Sequence, residues 1–305
     1  MTDTKTMPSI AIHGNKHTFE IAPVLLAADR FYPGEATVKM GGIPNVLGVE
    51  PIPGFGEPGV ADVGTHAETQ GLRYSVDRPD LRIILTVAEG LYRLVGKRSA
   101  GIASVADLKG KRIATIPNTS SGYFLHMLLK SAGLTDADVI IERILPLSDM
   151  AKALADGRVD AVTIWEPYME AAAMAIGDDA IEFGGKDIYR EIFNLNTTAA
   201  NIADPEKRPK IVAFVRSIIQ AAENIRAEPS VVWPLVSAAS GTPLDMVERA
   251  WPHQAYPAKL APDLLDVMTE EEQWLAKQDN RPARGRAELA TLVDGSIYEE
   301  AIRPA

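Results

Sequence analysis

The middle of the chain alternates short apolar segments with amphipathic ones, and this alternation constrains the fold more than any other feature. Residues 104–110 predict a short helix with a serine N-cap and a glycine at its end. Strands are then predicted at 111–116, 139–145 and 161–164, with helices between them at 121–132 and 148–155. Parallel strands joined by helical crossovers produce this order, so the block predicts a parallel sheet with helices on its faces.

The sequence on either side of this block predicts a second group of strands and helices. Strands are predicted at 9–13, 36–40, 60–64 and 81–88, with 92–95 continuing or following the last, and helices at 19–30, 67–75 and 208–226. The last helix carries an apolar stripe with helical spacing. Residues 41–59 are rich in Gly and Pro and predict a loop, and the chain after residue 229 predicts helices broken by prolines. A chain of 305 residues is long enough for two domains.

Composition excludes several classes of function. The net charge is −10 and no basic run is present, which argues against the clustered Lys and Arg that nucleic acids require. The chain contains no cysteine, so disulfides, Cys-ligated zinc, iron–sulfur clusters and Cys nucleophiles are excluded. No window approaches 18 consecutive apolar residues, and residues 1–8 lack the apolar region of a signal peptide. Only the first seven residues and the tail suggest disorder.

Three segments carry a resemblance to a known family. They are residues 104–122 (SVADLKGKRIATIPNTSSG), residues 153–168 (ALADGRVDAVTIWEPY) and residues 60–64 (VADVG). Together they resemble the substrate-binding proteins of nitrate, taurine, aliphatic sulfonate and thiamine-precursor ABC transporters. A weaker resemblance extends over the last 100 residues.

The resemblance implies an α/β, two-lobed fold of the periplasmic-binding-protein type II, with two mixed sheets flanked by helices and a ligand cleft between the lobes. Lobe one would comprise residues 8–92 and 198–305, and lobe two residues 93–197. It also implies a solute-binding protein that closes its lobes around a small, sulfonate-, nitrate- or carboxylate-like organic anion. The implied partners of this monomer are the ligand and the membrane subunits of an ABC transporter. The implied location is the periplasm, while the lack of a signal-peptide pattern keeps a cytoplasmic location open.

One expected ligand site lies at Asn118, Thr119, Ser120, Ser121 and Gly122, which follow a predicted strand and open a predicted helix. Free N–H groups and the helix dipole at such an end favour an anion, and the hydroxyls would add hydrogen bonds. If Ser120 and Ser121 contact the ligand, removing each hydroxyl would weaken binding by about 1 kcal/mol or more. The alternative is that these residues only cap the helix.

Polar residues also follow two strands of the other group. His13, Asn15 and His17 follow the first strand, and Thr65 and His66 follow the third. Ligands of open α/β sheets bind where strands end, so we expect these residues to line the ligand site. A solvated loop and a structural histidine are the alternatives that the sequence leaves open.

Two further pairs complete the expected site. Trp165 and Glu166 close a strand, where the indole would stack on a planar or apolar ligand and the carboxylate would accept from an ammonium or hydroxyl group. The alternative is a buried Trp and an acid bonded to a backbone N–H. Asn196 and Thr197 fall at the expected return crossover, where they either contact the ligand or stabilise the hinge.

Enzymes enter as alternatives to transport. The resemblance extends to a fungal pyrimidine synthase of thiamine biosynthesis and to an aryl sulfinate desulfinase, but both depend on cysteines that this chain lacks. No nucleophile elbow or metal-ligand spacing is present, so we expect no catalytic residue, no metal and no cofactor. Two alternatives stay open: a decarboxylase or isomerase that uses His13, His66 and Glu166, and a cytoplasmic ligand sensor.

Overall fold

A computed structural model describes residues 7–304 of the chain, so most of the segment expected to be disordered lies outside the described residues. The chain divides into two compact units. Unit 1 contains the described residues up to Glu89, residues Ile192–Gly241 and those from Tyr256 onward; unit 2 contains Gly90–Glu191 and Thr242–Ala255.

The strands and helices of the described residues are as follows. The strands are β1 Met7–Gly14, β2 Gly34–Met40, β3 Val63–Ala67, β4 Leu81–Gly90, β5 Arg93–Lys97, β6 Arg112–Ala114, β7 Ile140–Glu142, β8 Ala161–Val162, β9 Ala180–Gly184, β10 Glu191–Thr198 and β11 Gln254–Ala255. The α-helices are α1 Ala22–Leu26, α2 Ile43–Val46, α3 Glu68–Tyr74, α4 Ser120–Ser131, α5 Asp149–Ala155, α6 Tyr168–Ile176, α7 Ala199–Ala203, α8 Lys207–Ala227, α9 Trp233–Ser240, α10 Leu244–Ala250, α11 Leu264–Gln278, α12 Arg286–Ala290 and α13 Ser296–Ala301. None of these helices has both the length and the apolar character needed to cross a membrane.

The sheet of unit 1 brings two predicted polar segments to one edge. Its strands lie in the order β4, β10, β3, β1, β2. Strand β1 is parallel to both β2 and β3, whereas β10 is antiparallel to β3. The carboxyl ends of β1 and β3 therefore point the same way, and the middle of β10 lies beside the end of β3. Asn196 is paired with Gly64 and Asn194 with His66.

The sheet of unit 2 confirms the predicted parallel arrangement of the middle block and adds antiparallel strands to it. Its order is β7, β6, β8, β5, β9. Strand β6 is parallel to β7 and β8, and β5 is antiparallel to β8 and β9. Both sheets are therefore mixed and flanked by helices, as the resemblance implied.

Apolar side chains hold each unit together. In unit 2, α5 and α6 pack against the sheet through buried Met150, Leu154 and Met169. In unit 1, the predicted stripe of α8 is buried at Phe214 and Ile218. Each buried side chain of this size stabilises the folded chain by about 1.5–3 kcal/mol relative to an exposed one. This burial keeps the helices packed on the sheets.

The division of the chain differs from the predicted one at both boundaries and in one further segment. The predicted boundaries at 92/93 and 197/198 lie within a few residues of those observed, at 89/90 and 191/192. Residues Thr242–Ala255, however, belong to unit 2 and not to lobe one. Arg249 Nε donates to Glu170 Oε1 at 2.7 Å, and the N–H of Leu91 donates to the carbonyl of His253 at 2.8 Å. These contacts join residues far apart in sequence, so no local pattern predicted them.

Local structure also departs from the predictions in detail. The helix predicted at 19–30 is a 3-10 turn, then α1, then a π-turn at Ala27–Phe31. Pro23, near the start of α1, has no N–H to donate and so favours a helix start there. The loop predicted at 41–59 contains one helical turn, α2, and strands β9 and β11 correspond to no predicted strand.

Candidate functional site

The polar edge of unit 1 consists of the residues at the ends of β1 and β3 and along β10. His13 lies in β1, and its Nδ1 is 3.2 Å from the carbonyl oxygen of Met40. The ring is almost fully buried, and burial lowers the pKa of His13 despite that hydrogen bond. His13 is therefore a neutral, enclosed histidine at neutral pH.

His66 lies near the end of β3 and is partly accessible. Its Nδ1 accepts a hydrogen bond of 3.2 Å from the backbone N–H of Ile43, and its ring stacks on Tyr74 with centroids 6.3 Å apart. Burial lowers the pKa of His66 to about 4. The ring is consequently uncharged over the neutral range, so it interacts through hydrogen bonds and not through charge.

Asn15 and His17 form a turn between β1 and the first helix. The side-chain oxygen of Asn15 accepts from the N–H of His17 at 3.1 Å, and the hydroxyl of Thr18 donates to the carbonyl of Asn15 at 3.2 Å. Asn15 is half-buried and His17 is exposed. The side-chain oxygen of Asn15 thus stabilises the turn, and contact of either residue with ligand stays a prediction.

The three other predicted residues of unit 1 are buried and differ in their hydrogen bonds. Thr197 donates to the carbonyl of Asp62 at 2.8 Å, which is a structural role. Asn196 donates from Nδ2 to Gly64 at 3.2 Å, but its Oδ1 accepts no hydrogen bond from the described residues. Thr65 Oγ1 is likewise buried without a partner among residues 7–304. Buried polar atoms of this kind are uncommon in proteins, and contact of Thr65 and Asn196 with ligand stays a prediction.

The amino end of α4 is the place in unit 2 where the sequence predicts an anion. This helix has 12 residues, and its N-cap residue Thr119 makes no side-chain cap to it. Within the described residues, the backbone N–H groups of Ser120, Ser121 and Gly122 have no acceptor. Such groups, together with the helix dipole, carry a partial positive charge that attracts an anion.

The hydroxyl of Ser120 already donates its hydrogen within unit 2. Its Oγ donates to Glu191 Oε1 at 2.9 Å, and Tyr92 Oη lies 2.9 Å from the same Oγ. A serine hydroxyl has one hydrogen, so Ser120 can only accept in its contact with the Tyr92 hydroxyl, which has a second acceptor in Glu191 Oε1 at 3.4 Å. Ser120 is buried, and its side chain has no hydrogen left for a ligand.

The hydroxyl of Ser121 belongs to a similar series of hydrogen bonds. Thr119 donates to the carbonyl of Ile116 at 2.7 Å, and Thr115 donates to Ser121 Oγ at 3.1 Å. In the 2.9 Å contact between Thr119 and Ser121, the hydrogen must therefore come from Ser121. The hydroxyl hydrogens of Thr115, Thr119, Ser120 and Ser121 are thus donated within unit 2. The donors without an acceptor among the described residues are the backbone N–H groups at this helix end.

The backbone at this end is shaped by Asn118 and Gly122. Asn118 has φ of 58°, a left-handed conformation that asparagine tolerates better than most residues. A Cβ on Gly122 would lie 3.1 Å from the carbonyl oxygen of Ile116, so the preceding loop packs closely against the first helical turn. The tight turn directs the chain into α4 and positions the three N–H groups.

Glu166 lies in a buried charged cluster of unit 2, and Trp165 beside it in sequence is partly buried against the hydrophobic core of that unit. Glu166 Oε1 accepts from Arg93 at 2.9 Å, and its Oε2 accepts from the N–H of Glu170 at 2.9 Å. Burial raises the pKa of Glu166 to about 7, against the opposing effect of Arg93. Both oxygens have internal partners, as in the structural alternative for Glu166, whereas Trp165 Nε1 is buried without a partner among the described residues.

Sequence reasoning missed Arg93, Tyr92 and Glu191. Arg93 binds Glu166, Glu170 and Glu182 at 2.7–2.9 Å, with partners 73, 77 and 89 residues away. The Tyr92 hydroxyl lies 3.4 Å from Glu191 Oε1, although the two residues are 99 positions apart in the sequence. A charged or hydroxylated residue at a strand end carries no local signal of such partners, so only the fold could identify them.

The lowered pKa of His66 predicts how the stability of the folded chain depends on pH in the acid range. His66 binds a proton less readily in the folded chain than in the unfolded chain, so the unfolded state binds more protons between about pH 6.5 and pH 4. We therefore expect the His66 contribution to fall as pH falls through this window, by on the order of 2–3 kcal/mol in total. Urea unfolding of the wild type and His66→Gln at pH 7.5, 5.5 and 4.5 measures it. Equal losses of stability in the two proteins would contradict the assignment.

The described residues contain no group of three or more His, Cys, Asp or Glu side chains able to hold a metal ion.

The sequence is similar to known proteins of one family. The model of the family described as "NMT1/THI5 like" matches residues 19–231. A protein of Escherichia coli (strain K12) named for binding aliphatic sulfonates is 27% identical over 177 residues, which cover 56% of this chain and 52% of that protein. A protein of Bacillus subtilis (strain 168) with the same name is 32% identical over 130 residues, which cover 42% of this chain and 39% of that protein.

Solved structures share the fold at low sequence identity. The alkanesulfonate-binding protein SsuA from Xanthomonas axonopodis pv. citri, bound to MOPS, superposes with a TM-score of 0.71 at 20% identity, over 95% of this chain and 99% of that one. The periplasmic aliphatic sulphonate binding protein SsuA from Escherichia coli superposes with a TM-score of 0.74 at 16% identity, over 93% of this chain and 96% of that one. The desulfurization enzyme DSZB also has this fold, with a TM-score of 0.63 at 13% identity, over 96% and 98%.

The family match covers more of this chain than the matches to individual curated relatives cover of those proteins. The chain spans about half the length, or less, of the curated relatives that it matches. The family match, in contrast, extends over more than two thirds of the 305 residues. On that match, and with a fold common to both sulfonate-binding structures, the chain belongs to the NMT1/THI5-like family.

Proposed function

We propose that this chain is a solute-binding protein that captures a small organic anion, of sulfonate type, for an ABC transporter. The observation that carries this proposal is the uncapped amino end of α4, where three successive backbone N–H groups lack acceptors among the described residues. A sulfonate has three oxygens that accept hydrogen bonds and remains charged at any physiological pH. It therefore suits a site built from N–H groups and a helix dipole.

The similarities support the same class of ligand. Two curated relatives carry names that refer to aliphatic sulfonates, and one structural neighbour binds the sulfonate MOPS. A protein of this kind delivers its ligand to membrane subunits, and the periplasm is the compartment named for the E. coli neighbour. We extend both the partner and the compartment to this chain as part of the proposal.

Binding without chemistry is part of the proposal as well. DSZB is an enzyme with the same fold, but the cysteine nucleophile expected of a desulfinase has no counterpart in a chain without cysteine. Ser120 and Ser121 donate to Glu191 and Thr119 and have no adjacent histidine base among their bonded partners. A serine nucleophile requires such a base. We propose a carrier that releases its ligand unchanged.

A thermal-shift screen tests the proposal directly. The panel contains taurine, short alkanesulfonates, MOPS, nitrate, amino and aromatic carboxylates, and thiamine precursors, with a simple alkylammonium as the oppositely charged control. A ligand present at 100 times its Kd stabilises the folded chain by about 2.7 kcal/mol, so a sulfonate hit should raise Tm by several degrees. Mass spectrometry of the recovered ligand should find it unchanged. A response only to cations, or consumption of the hit, would contradict the proposal.

A further inference from the structure

Two histidines at the polar edge of unit 1 carry their hydrogens on opposite ring nitrogens. The carbonyl of Met40 can only accept, so His13 Nδ1 must carry a hydrogen and Nε2 of the neutral ring a lone pair. The backbone N–H of Ile43 can only donate, so His66 Nδ1 must carry a lone pair and Nε2 the hydrogen. The backbone around α2 thus determines both tautomers.

We propose that His66 is a specificity-determining residue that donates its Nε2–H, as an uncharged ring, to an unprotonated oxygen acceptor of the ligand. This inference rests on the proposed binding function and names the ligand chemistry that His66 selects. His66 Nε2 makes no hydrogen bond with the described residues, and the side chain is partly accessible at the end of β3. The acceptor is a sulfonate, carboxylate or carbonyl oxygen, and not an ammonium group.

The surroundings of His66 keep the ring neutral. The residues that contact or pair with it are Gly42 just before α2, Ile43 at the start of α2, Tyr74 of α3 and Asn194, its partner on β10. Of these, only Tyr74 is titratable, and burial raises its pKa above the usual value, so it stays uncharged near neutral pH. Within residues 7–304, burial is the cause of the lowered pKa of His66, and no charged neighbour contributes to it.

A neutral donor selects ligands differently from a cationic one. A protonated histidine would attract any anion more strongly as pH fell below about 6.5, through its charge. A neutral Nε2–H instead requires an acceptor atom in line with the bond, so its contribution depends on geometry and stays constant from about pH 5.5 to 8. The site would thereby distinguish ligands by the position of an oxygen and not by net charge.

The first measurement is the state of the ring itself. In uniformly 15N-labelled protein, two-bond 1H–15N correlation spectra distinguish the two neutral tautomers and the cation. We expect His66 in the Nε2–H form and His13 in the Nδ1–H form, both unchanged between pH 8 and pH 5.5. A His66 ring that becomes cationic near pH 6.5, or that carries its hydrogen on Nδ1, would overturn the inference.

The second measurement is affinity in matched variants, with pentanesulfonate as the probe and calorimetry at pH 5.5 and 8. Loss of a hydrogen bond to a charged acceptor should weaken binding at least about tenfold in His66→Phe. His66→Gln should stay within about threefold of wild type, because the Gln amide both accepts from Ile43 and donates outward. His126→Gln is the control, since the His126 ring contacts Asp136 in the other unit at 3.1 Å.

The outcomes separate the two proposals. Equal affinity in His66→Phe and wild type would overturn the role of His66 while leaving the anion carrier in place. Failure of the wild type to bind pentanesulfonate or any other anion would overturn the proposed function, and this inference with it. Equal losses in His66→Phe and His66→Gln would also overturn it, because a donor at this position would then not account for affinity.

Discussion

Replacing Arg93 by methionine should lower the free energy of unfolding by about 3–5 kcal/mol, the usual cost of removing one partner from a buried ion pair. The Arg93 side chain is only 6% exposed and bonds to the carboxylates of Glu166, Glu170 and Glu182 at 2.7–2.9 Å. Burial opposes its charge, but these carboxylates outweigh burial, so the pKa of Arg93 lies above its usual value. Without the guanidinium, two of the carboxylates remain buried with one cation fewer.

Urea unfolding of the wild type and Arg93→Met measures this effect. The matched control is Lys152→Met, which removes an exposed partner of Asp156 in the same unit and should cost less than about 0.5 kcal/mol. Glu166→Gln in the Arg93→Met background should recover part of the loss, because it removes one of the uncompensated charges. A loss no larger in Arg93→Met than in Lys152→Met would show that the cluster does not hold unit 2 together.

The cost of Arg93→Met should also depend on pH. Glu166 is already poised to bind a proton, since burial raises its pKa to about 7, and removing Arg93 raises that pKa further. At pH 5.5 protonation removes the buried charge, whereas at pH 8 the charge persists or must be neutralised at a free-energy cost. The destabilisation should therefore be larger at pH 8 than at pH 5.5. The opposite order would contradict the charge-based explanation.

Replacing Ser120 by proline should weaken binding of the best anion in the screen by roughly 10- to 100-fold, since hydrogen bonds to charged groups contribute about 1.5–3 kcal/mol. Proline has no N–H and so removes one of the three donors at the amino end of α4. The substitution suits the backbone. Ser120 is the first residue of the helix, where proline is favoured, and Thr119 before it is extended, with φ of −127° and ψ of 175°.

Ser120→Ala is the matched control for this experiment. It removes the same hydroxyl but keeps the N–H, and that hydroxyl already donates to Glu191. Affinity should stay within about threefold of wild type, while stability falls by about 1 kcal/mol because Glu191 and Tyr92 lose a partner. This expected result differs from the one drawn from the sequence, in which the hydroxyls of Ser120 and Ser121 would add hydrogen bonds to the ligand. Calorimetry that finds an equal loss in both variants would restore the role of the hydroxyl.

The sequence was most informative where structure depends on neighbours within a few residues. The alternation in the middle block predicted the parallel strands β6, β7 and β8, and the spacing of apolar residues predicted the buried face of α8. The serine and glycine residues at 120–122 marked the start of a helix, and helix amino ends in general attract anions. Each of these features follows from the period of a strand or a helix, which a single segment expresses by itself.

Only the tertiary structure decided how the polar groups are used. The hydrogen of Ser120 is committed to Glu191, 71 residues away, and the hydrogen of His66 is placed on Nε2 by a backbone N–H 23 residues earlier. The packing of Thr242–Ala255 with unit 2 likewise depends on a bond between Arg249 and Glu170. A residue's type fixes what its side chain can donate or accept, but its available atoms depend on partners that are distant in sequence and adjacent only in the fold.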